Sequence, residues 1–308
     1  MAREVRGEGL GGREASGAGV GAGLGERMGD AGGGAEVAPI MAIGGNDDGP
    51  DPTFDAFIAD EGIEDPDVDV HSDDIWEVLF TSGTTAKPKA VMISHTYAYM
   101  AGYNHVLSMT RGLDHENELR AATFTPMTFH IGDLIMMFGP LLAGGTVIMG
   151  RKPDGHMMAS ACTRERVTCL WGGSPQFAES IIRAVAETPQ AYDLSSITVM
   201  FFGWAPLAPG SLAAFTRLTS PRLSVYEIIG QTESVVCHCF HINQNRDTYM
   251  RTAPAQNYVG LPVPMLASTV MDEDGNDLWG QQGVEGEAVY RSPAMFSGYF
   301  KDPDATRE

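Results

Sequence analysis

The sequence predicts an α/β fold organised around a doubly wound, mainly parallel sheet. After Trp76, strand-like and helix-like blocks alternate, and the strand-like blocks are almost continuously apolar. Strands of a parallel sheet carry such runs because helices cover both faces of the sheet. From about Ser234 the helical periodicity fades, which predicts that a β-rich part follows the α/β part.

The predicted helices rest on apolar residues that recur at helical spacing. Tyr99, Tyr103, Val106 and Met109 show this spacing in the first block, and Pro209 stands near the start of the last. Proline suits the first turn of a helix because that turn needs no N–H donor from it. The pattern predicts helices over residues 96–111, 131–142, 176–187 and 209–218.

The predicted strands are short apolar runs bounded by polar, proline or glycine residues. The turn 272–275, of sequence Asp-Glu-Asp-Gly, separates the last two of them. In chain order we expect strands at residues 75–81, 90–94, 120–125, 146–149, 167–171, 196–202, 223–228, 267–271 and 287–291.

Composition divides the chain into four segments. Residues 1–50 hold sixteen of the 37 glycines, show no sustained apolar periodicity and are predicted to be disordered. Residues 51–74 are predicted to be an acidic linker, residues 75–233 the α/β subdomain and residues 234–308 the β-rich part. Thirteen acidic residues and no lysine or arginine lie between Asp47 and Glu77, so we predict no nucleic-acid partner.

The same features bear on location. The longest uncharged run, residues 134–150, is interrupted by Pro140 and several glycines and is too short to cross a bilayer comfortably. The first fifty residues lack the apolar core of a signal peptide. Four cysteines without an export signal point to reduced thiols. We therefore expect a cytoplasmic protein without a transmembrane segment; the oligomeric state stays unknown.

The stretch 237–241, Cys-His-Cys-Phe-His, has two interpretations. Its residue types suit a metal, but the spacing differs from that of a zinc knuckle and no second Cys/His pair follows. The alternative is a buried strand, with Cys237, Cys239 and His241 on one face and His238 on the other. We favour the strand.

A polar loop follows the first predicted strand directly. Its residue types suit a polyphosphate, because hydroxyls and backbone amides can donate to phosphate oxygens and lysines neutralise charge. It is not a Walker A loop, since Pro88 follows Lys87. The candidate phosphate-binding residues are Thr81, Ser82, Gly83, Thr84, Thr85, Lys87 and Lys89.

The loop resembles the phosphate-loop signature of the adenylate-forming superfamily, which includes acyl-CoA synthetases, luciferases and peptide-synthetase adenylation domains. Ala86 and Ala90 stand where the family form has glycine. Further family-like stretches follow in the family's order: 126–132, similar to Pro-x-Phe-His with one residue extra; 203–207, similar to Gly-Gly-Ala-Pro-Leu; 229–233, similar to Tyr-Gly-x-Thr-Glu; 259–264; and 287–308.

The resemblance implies ATP-dependent activation of a carboxylic acid as its acyl-adenylate, followed by thioester formation with CoA. It implies that Thr232 contacts the α-phosphate, Glu233 ligates Mg²⁺, and Lys87 with the rest of the loop holds the β- and γ-phosphates. It also implies that the nucleotide is lined by Gly203, Ala205, Pro206, Ile229 and Gly230. Ile229 replaces the aromatic residue that usually stacks on adenine.

Two positions concern the acid. Trp204 stands where the family has a small residue; either it shortens the acyl pocket and selects a small or flat acid, or it points into the core. His130 corresponds to a histidine beside the family's acyl pocket. Peptide-synthetase domains carry an aspartate near this point, for which Asp133 is a candidate, but the order Phe129-His130 favours an acid without an α-amine.

The resemblance also implies elements beyond these residues. Family members exceed 500 residues, and most of a first α/β subdomain would precede the loop. A ribose-binding aspartate, a hinge and a mobile C-terminal domain with a catalytic lysine would follow Glu308. Three hypotheses result: an acyl-CoA synthetase, a truncated nucleotide-binding remnant without turnover, and a peptide-synthetase-type adenylation domain.

Overall fold

The computed structural model describes residues 67–81 and 88–307. The predicted disordered segment 1–50, most of the predicted acidic linker and the loop residues 82–87 lie outside the described residues. Among the described residues, no helix has both the length and the apolar character needed to cross a membrane.

Helices and strands alternate along the chain much as the sequence predicts. The strands are β1 (Ile75–Phe80), β2 (Ala90–Ser94), β3 (Arg120–Thr123), β4 (Thr146–Met149), β5 (Cys169–Trp171), β6 (Val199–Gly203), β7 (Ser224–Gln231), β8 (Ser234–His241), β9 (Leu261–Pro262), β10 (Ala267–Met271), β11 (Glu287–Arg291) and β12 (Gly298–Tyr299). The α-helices are α1 (His95–Met109), α2 (Gly139–Leu142), α3 (Gly155–Glu165), α4 (Pro175–Glu187), α5 (Pro209–Leu218), α6 (Arg246–Thr252) and α7 (Pro303–Arg307).

The main sheet has seven strands in the order β4-β3-β5-β6-β7-β8-β9. The first five of these run parallel, whereas β8 and β9 pair antiparallel. The predicted α/β class with a mainly parallel sheet is therefore confirmed. The predicted strand at residues 237–241 is also confirmed, as the second half of β8.

Side chains of β6 alternate between two hydrophobic cores. Val199 and Phe201 belong to one core, while Met200 and Phe202 belong to the other. Successive side chains of a strand point to opposite faces, so apolar layers cover both faces of the sheet at this strand. This explains why β6 is apolar at every position before its final glycine.

Two smaller sheets flank this framework. In one, β2 pairs antiparallel with both β1 and β12. In the other, β10 and β11 form the antiparallel hairpin that the sequence predicts. The sheet formed by β1, β2 and β12 joins a strand next to the predicted phosphate loop to a strand close to the end of the chain.

Some elements differ from the prediction. The predicted helix 131–142 is a π-helix over Ile131–Phe138 that continues into α2. Helices α3, α6 and α7 lie outside the predicted helices. Helix α3 has polar residues over much of its length, but Asp154 caps it by accepting the Met157 N–H at 2.9 Å, a device that favours a helix start.

Candidate active site

The ends of the predicted phosphate loop are held together at the end of the β1–β2 hairpin. The Thr81 N–H donates to the Lys89 carbonyl at 2.9 Å, and the Lys89 N–H donates to Thr81 Oγ1 at 3.2 Å. The loop therefore leaves and re-enters the sheet at one place. Ser82, Gly83, Thr84, Thr85 and Lys87 lie outside the described residues, so their predicted phosphate contacts stay predictions.

The turn Thr232-Glu233 connects β7 and β8 and is anchored by Tyr97 of α1. The Tyr97 hydroxyl donates to the Thr232 carbonyl at 3.0 Å and accepts from the Val235 N–H at 2.6 Å. Burial raises the pKa of Tyr97 well above its usual value, which keeps this hydroxyl a donor. The two contacts fix the backbone of the turn on both sides of Glu233.

Glu233 is also held from the end of the chain. The Phe296 N–H donates to its carbonyl at 2.9 Å, and the Tyr299 hydroxyl donates to its Oε1 at 2.6 Å. Burial, together with this carboxylate, raises the pKa of Tyr299. Glu233 Oε2 accepts no hydrogen bond from another described residue. Among the described residues, one carboxylate oxygen of Glu233 thus orients the side chain and the other has no partner.

Lys89 links the predicted phosphate loop to this turn. Its Nζ lies 4.7 Å from the centroid of the Tyr299 ring, within the range of a cation–π interaction. Tyr299 reaches this place because β12 pairs with β2, next to Val91. The three side chains Lys89, Tyr299 and Glu233 therefore form a continuous row of contacts between two motifs that are far apart in sequence.

The two predicted nucleotide-lining stretches lie on neighbouring parallel strands. Gly203 of β6 pairs with Ile228 of β7, one residue before Ile229. A Cβ on Gly203 would lie 2.7 Å from the Ile228 carbonyl oxygen, and one on Gly230 would lie 2.0 Å from the Val235 carbonyl oxygen. Both glycines are therefore required by close backbone approach.

These stretches end at the same edge of the sheet and are accessible. The Ile229 side chain is 41% exposed, while Ala205 and Pro206 are half-buried just beyond β6. Carboxyl ends of parallel strands are where open α/β sheets bind ligands. The structure thus brings the two predicted stretches together at an edge that can receive a nucleotide.

Trp204 does not point into the core. It is 59% exposed, and its ring makes an edge-to-face contact with Trp171 at 5.5 Å and a tilted contact with Phe129 at 6.5 Å. Its φ of 67° lies in the left-handed region that favours glycine. Of the two sequence hypotheses, the structure contradicts core burial, and an exposed aromatic wall remains.

His130 lies in a buried polar cluster with Glu77 of β1 and Asp133 of the π-helix. Its Nδ1 is 3.9 Å from Glu77 Oε1. Burial lowers the pKa of His130 to about 4, against a smaller opposing effect of the Thr232 carbonyl. Burial, then the Asp133 carboxylate, raises the pKa of Glu77 to about 8, and burial also raises the pKa of Asp133. His130 is therefore neutral near pH 7, with two carboxyl groups beside it that resist simultaneous ionisation.

The sequence interpretation missed Glu77, Tyr97 and Tyr299. Glu77 carried a usable signal, since it is the one charged residue in the apolar strand Ile75–Phe80. Tyr299 lies within the family-like stretch 287–308, which gave it no role, and Tyr97 carried no signal. Each acts through its hydroxyl across a tertiary contact. Spacing along the chain does not show such contacts.

A separate cavity of about 500 Å³ lies at the opposite edge of the main sheet. Arg120, Thr168, Thr198 and Arg222 line it, at or just before the amino ends of β3, β5, β6 and β7. The family-like stretches 126–132, 203–207 and 229–233 lie instead at or beyond the carboxyl ends of β3, β6 and β7. This cavity is therefore distinct from the candidate active site.

Comparisons with known proteins agree with the motifs. The model of the family described as AMP-binding enzyme matches residues 33–300. Feruloyl-CoA synthase from an Amycolatopsis species is 30% identical over 252 residues, which cover 80% of this chain and 46% of that protein. The D-alanine–D-alanyl carrier protein ligase of Streptococcus pyogenes is 26% identical over 246 residues, 78% of this chain and 45% of the ligase.

Solved structures agree with the fold. The luciferase-like enzyme from the nonluminescent mealworm Zophobas morio superimposes with a TM-score of 0.69 at 23% identity, covering 86% of this chain and 59% of that one. The chain spans less than half the length of the two curated relatives. With the family model matched over most of its residues, the chain belongs to the AMP-binding enzyme family of adenylate-forming proteins.

Proposed function

We propose that this chain is the central part of an enzyme that activates a carboxylic acid with ATP as its acyl-adenylate. In the whole protein, CoA then accepts the acyl group as a thioester. Feruloyl-CoA synthase, which this chain resembles over 252 residues, bears a name that describes such a product. The row of contacts from Lys89 through Tyr299 to Glu233 is the observation that carries the proposal.

That row supports a site for a polyphosphate and its metal ion. Lys89 stands at the end of the phosphate loop, and the Glu233 carboxylate is held about one aromatic ring away. Adenylation expels pyrophosphate, so the site needs fixed positive charge for the leaving group. A carboxylate with one oxygen oriented and one available is the hard oxygen ligand that Mg²⁺ prefers.

Each predicted residue then takes a role. Thr81, Ser82, Gly83, Thr84, Thr85, Lys87 and Lys89 hold the β- and γ-phosphates, and Thr232 contacts the α-phosphate. Glu233 would hold Mg²⁺, which neutralises charge on the phosphates when bound. The nucleotide base and sugar lie against Gly203, Ala205, Pro206, Ile229 and Gly230, with apolar contact from Ile229 in place of an aromatic stack.

The acid lies beside His130 and the exposed ring of Trp204. Trp204, Trp171 and Phe129 form an aromatic surface at the sheet edge. Flat aromatic acids match such a surface through ring–ring contacts, each contributing about 1 kcal/mol beyond simple burial. A long flexible chain would have to pass the indole. We therefore propose a small or flat carboxylic acid.

An amino acid is the second candidate substrate, and the similarity to the D-alanine ligase supports it. Asp133 would then have to bind the α-ammonium group. Its Oδ1, however, accepts the Leu134 N–H at 2.6 Å, and the side chain is buried next to Glu77. Asp133 is only 7% exposed, so the ammonium group of a bound amino acid has little access to its carboxyl group, which favours an acid without an α-amine.

Carboxylate-dependent exchange of pyrophosphate into ATP tests the proposal. The exchange is measured for this chain and for a longer protein that contains it, with flat aromatic acids, fatty acids and amino acids. We expect stimulation by flat acids, and a loss of about a hundredfold or more for Lys87→Ala and for Glu233→Gln. Glu187→Gln, in an exposed pair with His156, is the matched control and should retain activity.

Each outcome distinguishes a hypothesis. Exchange stimulated only by amino acids supports the peptide-synthetase type. Exchange by the longer protein but not by this chain identifies the chain as a nucleotide-binding remnant. Exchange at the wild-type rate by the Glu233→Gln variant would contradict the proposed role of Glu233 as a metal ligand.

Trp204→Gly tests the acid pocket in the longer protein. Glycine adopts the positive φ of this position without strain, so the variant should fold. We expect longer acids to gain relative kcat/KM by about tenfold, the size of effect that one or two methylene groups have in a pocket. An unchanged preference among acids of increasing length would contradict the role of Trp204.

A further inference from the structure

A buried cluster beside the candidate acid pocket contains three different metal-ligating side chains. Glu77 comes from β1, and His130 and Asp133 come from the start of the π-helix. One ligand atom from each lies within 4.8 Å of the other two. His130 and Asp133 are three residues apart, a spacing that places side chains on the same side of a helix, and Glu77 faces them from the strand.

Three of the six side-chain polar atoms of this cluster have no hydrogen-bond partner among the described residues. The two ring nitrogens of His130 and the Oε1 of Glu77 are buried and make no hydrogen bond to another described residue. His130 is only 8% exposed. The 3.9 Å between His130 Nδ1 and Glu77 Oε1 is too long for a hydrogen bond. Buried polar groups are almost always satisfied, so three such atoms at one place offer donors to a ligand.

The three ligating side chains determine which metal ion suits the cluster. One neutral imidazole nitrogen and two carboxylate oxygens suit a divalent ion of the zinc type, whereas Mg²⁺ and Ca²⁺ prefer oxygen ligands alone. Metal-ligating carboxyl groups are deprotonated, so a divalent ion would displace the proton from this pair and balance the two carboxylate charges that result. Zinc–ligand bonds of about 2.1 Å place ligand atoms roughly 3.4 Å apart. The present separations, which are within 4.8 Å, therefore need to contract by at most about 1.4 Å through side-chain rotation.

We propose that Glu77, His130 and Asp133 form a binding site for a divalent transition-metal ion such as Zn²⁺. The site is distinct from the proposed Mg²⁺ ligand Glu233, which does not belong to the cluster. In the proposed function, on which this step rests, His130 also faces the acid. An ion bound at the cluster then withdraws the His130 imidazole from the acid pocket. We therefore expect the ion to inhibit acid activation.

Metal titration of the complete 308-residue chain, after treatment with a chelator and without nucleotide, tests the site directly. Zn²⁺ is followed by calorimetry, and Co²⁺ by its visible absorption. We expect one equivalent of each ion to bind. Glu77→Gln, Asp133→Asn and His130→Gln should each weaken binding at least tenfold. Glu187→Gln and His156→Gln, in the exposed pair joined at 3.0 Å, are matched controls and should leave binding unchanged.

Binding that the cluster variants leave unchanged, or no stoichiometric binding at all, would overturn the proposal. Glu77→Gln and Asp133→Asn keep the side-chain shape, and their folding is checked by circular dichroism. If one of them fails to fold, the other decides the question. Because the readout is binding and not activity, failure here leaves the proposed acid activation standing, and loss of exchange activity alone leaves this site standing.

Discussion

Strands β6 and β1 are both short and apolar, but they lie in very different surroundings. Every residue of β6 is buried, between two parallel neighbours and with apolar layers on both faces. In β1 only Glu77 and Leu79 are half-buried, and β2 is its one partner among the described residues. The candidate phosphate loop therefore follows the less supported strand, while Gly203, Ala205 and Pro206, the candidate nucleotide-lining residues of this stretch, lie at or beyond the end of the better supported one.

The two strands therefore differ in how firmly they support the residues that follow them. Elements with few buried apolar contacts open more readily than core strands, so β1 should open more readily than β6. Exposed apolar residues on β1, including Ile75, Trp76, Val78 and Phe80, also predict poor solubility for the isolated chain. The β6 edge, in contrast, presents its residues from a rigid support.

The largest expected effect comes from a matched pair of phenylalanines. Phe201 of β6 is 2% exposed and stacks on Tyr226 at 4.9 Å, whereas Phe80 of β1 is 66% exposed. Phe201→Ala should lower the free energy of unfolding by about 3–5 kcal/mol, because it leaves a cavity. Phe80→Ala should change it by less than about 0.5 kcal/mol. Urea denaturation of both variants measures this, and equal losses would contradict the comparison.

A matched pair of glycines is expected to show a smaller effect. A Cβ on Gly230 would lie 2.0 Å from the Val235 carbonyl oxygen, while a Cβ on Gly210 of α5 would meet nothing within 4 Å. Gly230→Ala should cost about 1–3 kcal/mol, because the β7–β8 hairpin must shift. Gly210→Ala should be neutral, or stabilising by up to about 1 kcal/mol, because alanine favours a helix. Thermal unfolding of the two variants tests this, and a neutral Gly230→Ala would show that the turn at Glu233 is loose.

The smallest expected effect is a difference in pH dependence. Glu77 has a pKa of about 8 in the folded chain, against 4.5 ordinarily. Between these values the folded state holds a proton that the unfolded state has released, so stability falls as pH rises towards 8. In the Glu77→Gln variant, the free energy of unfolding should decrease less steeply with pH. The difference in slope should be less than about 1.4 kcal/mol per pH unit, which is the limit for one proton.

The measurement belongs between about pH 6.5 and 8, with a chelator present. In this range His130, whose pKa is lowered to about 4, does not change charge in the folded state. Glu227 of β7 is the comparison residue in the main sheet, and burial raises its pKa to about 7. Glu227→Gln should therefore reduce the fall in stability with pH mainly below pH 7. An identical pH profile for wild type and Glu77→Gln would show that Glu77 is ionised when folded.

Much of the fold was accessible from the sequence. Helix 209–218 and the strands 146–149, 267–271 and 287–291 match the structure to the residue, because proline, glycine and charged turns bound them clearly. The π-helix was not accessible, since its apolar residues suit any helix type. The end of β7 was also underestimated, because pairing with β8, and not the apolar run, extends it through Gln231.

The sequence by itself determined the fold class, the family and the residues with suitable chemistry, because periodicity, glycine positions and motif order are local properties of the chain. Only the tertiary structure decided which of these residues meet. Tyr299 joins Lys89 to Glu233, Trp204 lies exposed on Trp171, and Glu77 closes a buried cluster with His130. Those contacts depend on strand pairing and on packing between distant segments, and the local spacing of residues predicts neither.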